Sequence, residues 1–184
     1  MDNITADKLI QLTVTPYLQK ATALRGVARK VGGNQFRHMM ATFTILIDYH
    51  YTDHVLLKAS LIHDLFEDVP DSIPDDIINL DKHGQQVFAL VDEVSRKPDE
   101  SKIDYLKKIR DKGTKGAKVL KVADRISNIT DLHLDIIIKE KMADYLEQTM
   151  EYIYPMAKEV NNLMAIEIKD LVERRKMYLN SWSV

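Results

Sequence analysis

The chain has 184 residues, 45% hydrophobic and 29% charged, with a net charge of −2, the balance of one globular domain with a sizeable core. Near-neutral charge gives no general pull toward nucleic acid or an anionic membrane. The absence of cysteine excludes disulfides, thiolate zinc sites and cysteine nucleophiles, and it fits a reducing cytosol. The segment Met1–Asp7 lacks the basic-then-apolar order of a signal peptide, and no apolar run is long enough to span a bilayer. A cytoplasmic location is the expectation.

Gly and Pro are scarce, and the segments between them show helical spacing without the alternation of strands. Residues 7–30 read as a helix interrupted near Pro16. Val31–Gln35 reads as a loop, and residues 36–49 as the next helix. Asp53 is placed to cap a helix running to Asp68. Pro70, Asp71 and Pro74 then break the chain, with Pro74 opening a short helix. Further helices are expected over 84–95, 101–112 and 116–130, with Arg96–Glu100 as a loop. A long helical stretch from 139 to 180 carries Pro155 as a kink or break. The expectation is an all-α fold, a single helical bundle over 1–184, with no repeat and no linker.

The chemistry concentrates in Ser60-Leu61-Ile62-His63-Asp64-Leu65-Phe66-Glu67-Asp68. Burying so many ionisable groups is costly unless a metal or partner compensates. On a continuous helix His63 lies over Glu67 and Asp64 over Asp68. Asp124 interrupts the apolar helix Lys118–Ile126, and His38 opens another with Met39, Met40, Phe43 and Ile45. One shared site explains three polar intrusions into three core-like helices better than three accidents. Two His and two Asp suit a divalent transition metal, leaving Glu67 and Asp68 for chemistry, so the pattern points to metal-assisted hydrolysis. His50, His54, His83 and His133 lack partners at informative spacing and read as surface or loop residues. Met39 and Met40 read as core filler, Arg125 as a helix-fixing residue, and Glu173-Arg174-Arg175-Lys176 as a solvated face.

These residues give the chain a resemblance to the HD-domain metal phosphohydrolases. More narrowly, it resembles the hydrolase domain of the RelA/SpoT alarmone enzymes and their stand-alone small alarmone hydrolase relatives. The likeness covers roughly residues 20–160. It is carried by Arg29-Lys30 and the glycine loop before His38, by His63-Asp64-x-x-Glu67-Asp68, by Ala123-Asp124-Arg125-x-x-Asn128, and more weakly by Thr149-x-Glu151 with Pro155-Met156-Ala157. The resemblance implies His38, His63, Asp64 and Asp124 as metal ligands, with manganese the usual ion and other divalent transition metals admissible. It implies Glu67 and Asp68 as the pair handling the attacking water, and Arg29, Lys30 and Asn128 as contacts to the nucleotide base and nearby groups. The implied reaction removes pyrophosphate from the 3′ position of guanosine tetra- or pentaphosphate. The larger members add synthetase and regulatory domains for which this chain has no room, so the expectation is a hydrolase alone.

Two positions depart from the pattern. Asp131 stands where the family often carries Thr near the base, and an ionised Asp cannot donate a hydrogen bond. Gln35-Phe36 stands in place of a Pro-Tyr pair. The same site on another substrate is therefore an alternative: an adenine alarmone, NADPH or pyrophosphorylated tRNA, the last disfavoured by the acidic balance. A nucleotide sensor that does not cleave is a further alternative, against which the full set of site residues argues. The partner expected is a small-molecule nucleotide, with neither a stable nucleic-acid complex nor a membrane; the sequence does not specify an oligomeric state.

Overall fold

The computed structural model describes residues 3–135 and 139–181, with side chains from Asp7 onward. It is helical throughout; among the described residues the only extended pairing is the isolated bridge between Ala28 and Asn34. No described helix is long and apolar enough to cross a membrane.

The helix expected over 7–30 is divided into α1 (Asn3–Ile10), α2 (Thr15–Ala21) and a 3-10 turn, Thr22–Gly26. Pro16 sits in the first turn of α2, where its missing N–H is no loss, so the break precedes it. Residues 27–34 form a closed loop: the Arg29 N–H donates to the Gly33 carbonyl (3.2 Å), the Gly32 N–H to the Arg29 carbonyl (3.0 Å) and the Gln35 N–H to the Val27 carbonyl (2.9 Å). Gly32 and Gly33 make the reversal at φ 91° and 72°, a region that penalises a Cβ. The Asn34 side chain, accepting from the Arg37 N–H at 3.0 Å, then starts α3 (Gln35–Asp48).

Asp53 caps α4 (His54–Ser60) as the sequence indicates, accepting from the Leu56 N–H at 2.8 Å. The helix does not run on to Asp68. It tightens over 61–64 and resumes as the single turn α5 (Leu65–Asp68). The helices α6 (Asp75–Ile78), α7 (Gly84–Val94), α8 (Lys102–Lys112) and α9 (Lys115–Thr130) follow near their expected places. Ser101 and Thr114 cap α8 and α9, accepting from the Asp104 and Ala117 N–H groups.

The long C-terminal stretch breaks twice. After α10 (Lys139–Gln148) a π-helical turn, Thr149–Ile153, leads into α11 (Tyr154–Val160). Pro155 cannot donate an N–H to the preceding turn, and its ring crowds that turn's carbonyl, which widens the helix there. At the second break the Asn161 side chain accepts from the Leu163 and Met164 N–H groups and opens α12 (Asn162–Ser181).

Helix α9 lies at the centre, packed by α3, α7, α8, α11 and α12, and is buried over most of its circumference, Asp124 and Arg125 included. Arg175, expected on a solvated face, instead reaches the end of α9, donating Nε to the Ile129 carbonyl at 3.0 Å and a second N–H to the Thr130 carbonyl. These are carbonyls that a helix end leaves without partners.

A second anchor fastens the N-terminal helices. Lys58, only 3% exposed, donates to Asp81 Oδ2 at 2.6 Å and lies 2.9 Å from His83 Nδ1. Asp81 Oδ1 accepts from the hydroxyl of fully buried Tyr17 (2.9 Å) and from the His83 N–H (2.9 Å). Asp81→Ala would leave the Lys58 charge and the Tyr17 hydroxyl buried without this partner. We expect a loss of about 3 kcal/mol, read as a lowered urea midpoint with unchanged slope, and a smaller loss for Asp81→Asn, which keeps one acceptor oxygen.

Candidate functional site

Three elements bring the polar intrusions together: the start of α3, the tightened turn between α4 and α5, and the middle of α9. His38, His63 and Asp124, all buried, each place one ligand atom within 4.8 Å of the others. Asp64 stands beside them, Oδ1 3.5 Å from His63 Nε2 and Oδ2 3.8 Å from His38 Nε2.

The break at 61–64 is what aims the His63-Asp64 pair. His63 Nδ1 takes the Ser60 carbonyl at 2.8 Å, the acceptor a regular helix would give to the Asp64 N–H. The neighbouring N–H groups fall back on nearer carbonyls, Leu61 to Lys58, Ile62 to Ala59 and Leu65 to Ile62. The His63 ring is therefore turned out of the register over Glu67 expected of it, and the Glu67 N–H goes to the Asp64 carbonyl instead. Asp64 keeps its place one turn before Asp68, whose N–H donates to the Asp64 carbonyl at 3.0 Å. His38 is held similarly, with Nδ1 2.9 Å from Ser127 Oγ and Nε2 3.0 Å from Asp124 Oδ1. Fixing one ring nitrogen this way orients the other toward a metal. Neither Ser127 nor the Ser60 carbonyl carries a sequence signal of this role.

Asp124 is the electrostatic centre. Its Oδ1 also accepts from Asn128 Nδ2 at 2.5 Å, and Lys121 Nζ lies 2.7 Å from Oδ2. Burial works against the Asp124 charge, but Lys121 and His38 outweigh it and hold the carboxyl well below its usual range. Lys121 is held correspondingly high against its own burial, chiefly by Asp124. For His63 burial opposes the charge, and the carboxylates of Asp64 and Asp124 overcome it, raising the ring to about 9. Its buried Nε2 has no hydrogen-bond partner. A cavity of two imidazoles and two carboxylates with an orphaned ring nitrogen fits a divalent cation.

Around this cluster lies a cleft of about 380 Å³ lined by Glu67, Arg96, Lys102, Lys121 and Arg125 among others. Glu67 Oε1 accepts from the Arg96 N–H at 2.9 Å; desolvation raises the Glu67 pKa against that bond. Asp68 is also raised, first by desolvation, against the hydrogen bond from Gln35. Burial, with Arg125 and Lys121 nearby, lowers Lys102 to about 8. Arg125 has the structural part expected of it without a carboxylate: it donates to Thr149 Oγ1 at 2.9 Å and stacks 4.0 Å from the centre of the Tyr145 ring.

A second cleft, of about 290 Å³, adjoins the first and shares Gln35 and Asn128 with it. Arg29, Lys30, Asp68, Asp135 and Tyr145 line it as well. Arg29 donates to Asn128 Oδ1 at 2.6 Å, so the three residues expected at the base meet in one place. Asp131 lines neither cleft; it ends α9 and acts electrostatically on Arg175. Arg96, Lys102, Lys121 and Tyr145 are missed by sequence reasoning, since charged and aromatic residues on helices resemble solvated or core faces. The remaining histidines stay apart from the site: His50 turns the chain after α3 at φ 61°, His54 packs on His83, and His133 on Tyr178.

No family model matches the chain, and no curated protein does. Among solved structures, a protein described as a metazoan ortholog of SpoT that hydrolyses ppGpp and plays a role in starvation responses superposes with a TM-score of 0.77. It is 24% identical, and the match covers 88% of this chain and 94% of that one. The two share an all-helical fold.

Metal uptake through the His63 ring would require it to be neutral. The affinity for Mn2+ should therefore rise by up to about tenfold per pH unit as the pH approaches 9 and level off above it, where the ring has lost its proton. Calorimetry in buffers of different ionisation enthalpy should register the released proton. The raised pKa also stabilises the metal-free protein, a contribution complete below 6.5 and lost as the pH rises through about 9. An affinity flat across this range would contradict the assignment.

Proposed function

We propose that the chain is a metal-dependent hydrolase of guanosine 3′-diphosphate 5′-di- or triphosphate, releasing pyrophosphate and GDP or GTP, with manganese as the ion. The observation carrying this reading is the pair of adjoining clefts. One joins a cation-binding cluster to four basic side chains, and the other presents Arg29, Lys30, Asn128 and Tyr145. A nucleoside with phosphates on its ribose needs both at once. The shared fold with a ppGpp hydrolase supports the same substrate.

A divalent ion held by His38, His63, Asp64 and Asp124 would activate water and offset phosphate charge. Glu67 and Asp68 orient the attacking water and take its proton. Desolvation matches these carboxyls to the role by making them better bases than free carboxylates. An oxygen–phosphorus bond forms to the water, the bond from phosphorus to the ribose 3′ oxygen breaks, and that oxygen leaves with the proton that Glu67 or Asp68 took from the water, returned directly or through solvent. Arg96, Lys102 and Lys121 face the phosphates and neutralise the departing pyrophosphate, which is most of what phosphoryl transfer asks of a protein. The Arg29 guanidinium, fixed by Asn128, offers a flat cationic surface for the purine. Lys30 and Asn128 supply hydrogen bonds to its edge. With Asp131 outside both clefts, the departure at that position weighs less against guanine.

Product analysis with ppGpp tests the reading. Manganese-loaded protein should release GDP and pyrophosphate, and chelation or Asp64→Ala should abolish this. The double variant Glu67→Gln, Asp68→Asn should keep its metal and lose at least about 100-fold in kcat. Turnover of NADPH or an adenine alarmone without turnover of ppGpp would overturn the guanosine assignment.

A further inference from the structure

Gln35 belongs to none of the roles above, yet it lines both clefts. Its amide nitrogen donates to Asp64 Oδ2 at 3.1 Å and to Asp68 Oδ2 at 2.7 Å. Both neighbours are acceptors, so the chemistry fixes which end of the amide faces them. The backbone closes the same circuit, since the Asp68 N–H donates to the Asp64 carbonyl at 3.0 Å. Gln35 is the first residue of α3, and its own N–H is tied to the Val27 carbonyl at 2.9 Å, so the amide reaches out from a fixed base.

We propose that Gln35 is a positioning residue that clamps the Asp64 and Asp68 carboxylates in one orientation at the wall between the two clefts, an inference that rests on the hydrolase reading. Two carboxylates one helical turn apart repel each other, and Asp68 borders open space in the second cleft. Unclamped, Asp68 turns away from Asp64 and from the water it must hold. A lysine or arginine at this position would draw the carboxylates together too, but its charge would cancel part of the negative potential that a cation needs. A neutral amide supplies two donors and no charge. Gln35 thereby couples the part of the site that holds the metal to the part that handles the proton.

Gln35→Met keeps the length and the backbone bond to Val27 while removing both donors. We expect Mn2+ affinity, read by calorimetry without substrate, to fall by about tenfold. With ppGpp, kcat should fall by about 10- to 100-fold with KM within about threefold, the pattern of a lost orienting contact. In an Asp68→Asn background the same substitution should lower kcat by less than about twofold while keeping its effect on metal affinity, because the clamp acts on kcat through Asp68. Thermal unfolding checks that the variants remain folded. Metal affinity and kcat both within twofold of the parent protein, or fully additive losses in the double variant, would overturn the clamp. If the parent protein does not cleave ppGpp, the substrate reading fails by itself; metal affinity then decides the clamp on Asp64, a tenfold loss supporting it and an unchanged value overturning it.

Discussion

Asp124 puts a carboxylate into the central helix α9, and the architecture of the site follows from compensating that charge. Without partners a buried carboxylate takes up a proton rather than stay ionised. Here His38, Asn128 and Lys121 each bring a donor to it, so it remains an anion. Those partners come from α3 and from the two flanking turns of α9. Ionisation of one side chain thus depends on the packing of α3 on α9, and α3 in turn brings the Gln35 amide and the Arg29-bearing loop to the site.

The same economy governs His63. Its ring takes a backbone carbonyl out of the helical ladder, and the chain accepts the shorter bonds that result. What the helix loses in regularity the site gains in aim, for the turn swings Asp64 toward the two imidazoles while leaving Asp68 on the side of the second cleft.

Much of this is legible in the sequence, for identifiable reasons. His38, His63 and Asp124 stand out because each contradicts the apolar periodicity around it, and Asp53 stands at a turn where a helix starts. The break at 61–64 has no such mark: no glycine or proline causes it, and its origin is a hydrogen bond made by the His63 ring itself. The division of the C-terminal stretch is half visible, at Pro155, and half hidden, at Asn161, where a side-chain cap replaces a proline. Lys102 and Tyr145 come from α8 and α10, and nothing local tells a lysine that lines a cleft from one in water. Arg175 is hidden for the same reason, being one of several charges on an exposed-looking helix and revealed only by the carbonyls it reaches.

The loop carrying Arg29 and Lys30 is closed by its own backbone. Paired main-chain bonds and two left-handed glycines hold it, and the Arg29 side chain is already docked on Asn128. A nucleotide meeting these groups would find them arranged, with little ordering left to do on arrival. Arrival of a nucleotide would then be limited by diffusion to the cleft rather than by ordering of the loop.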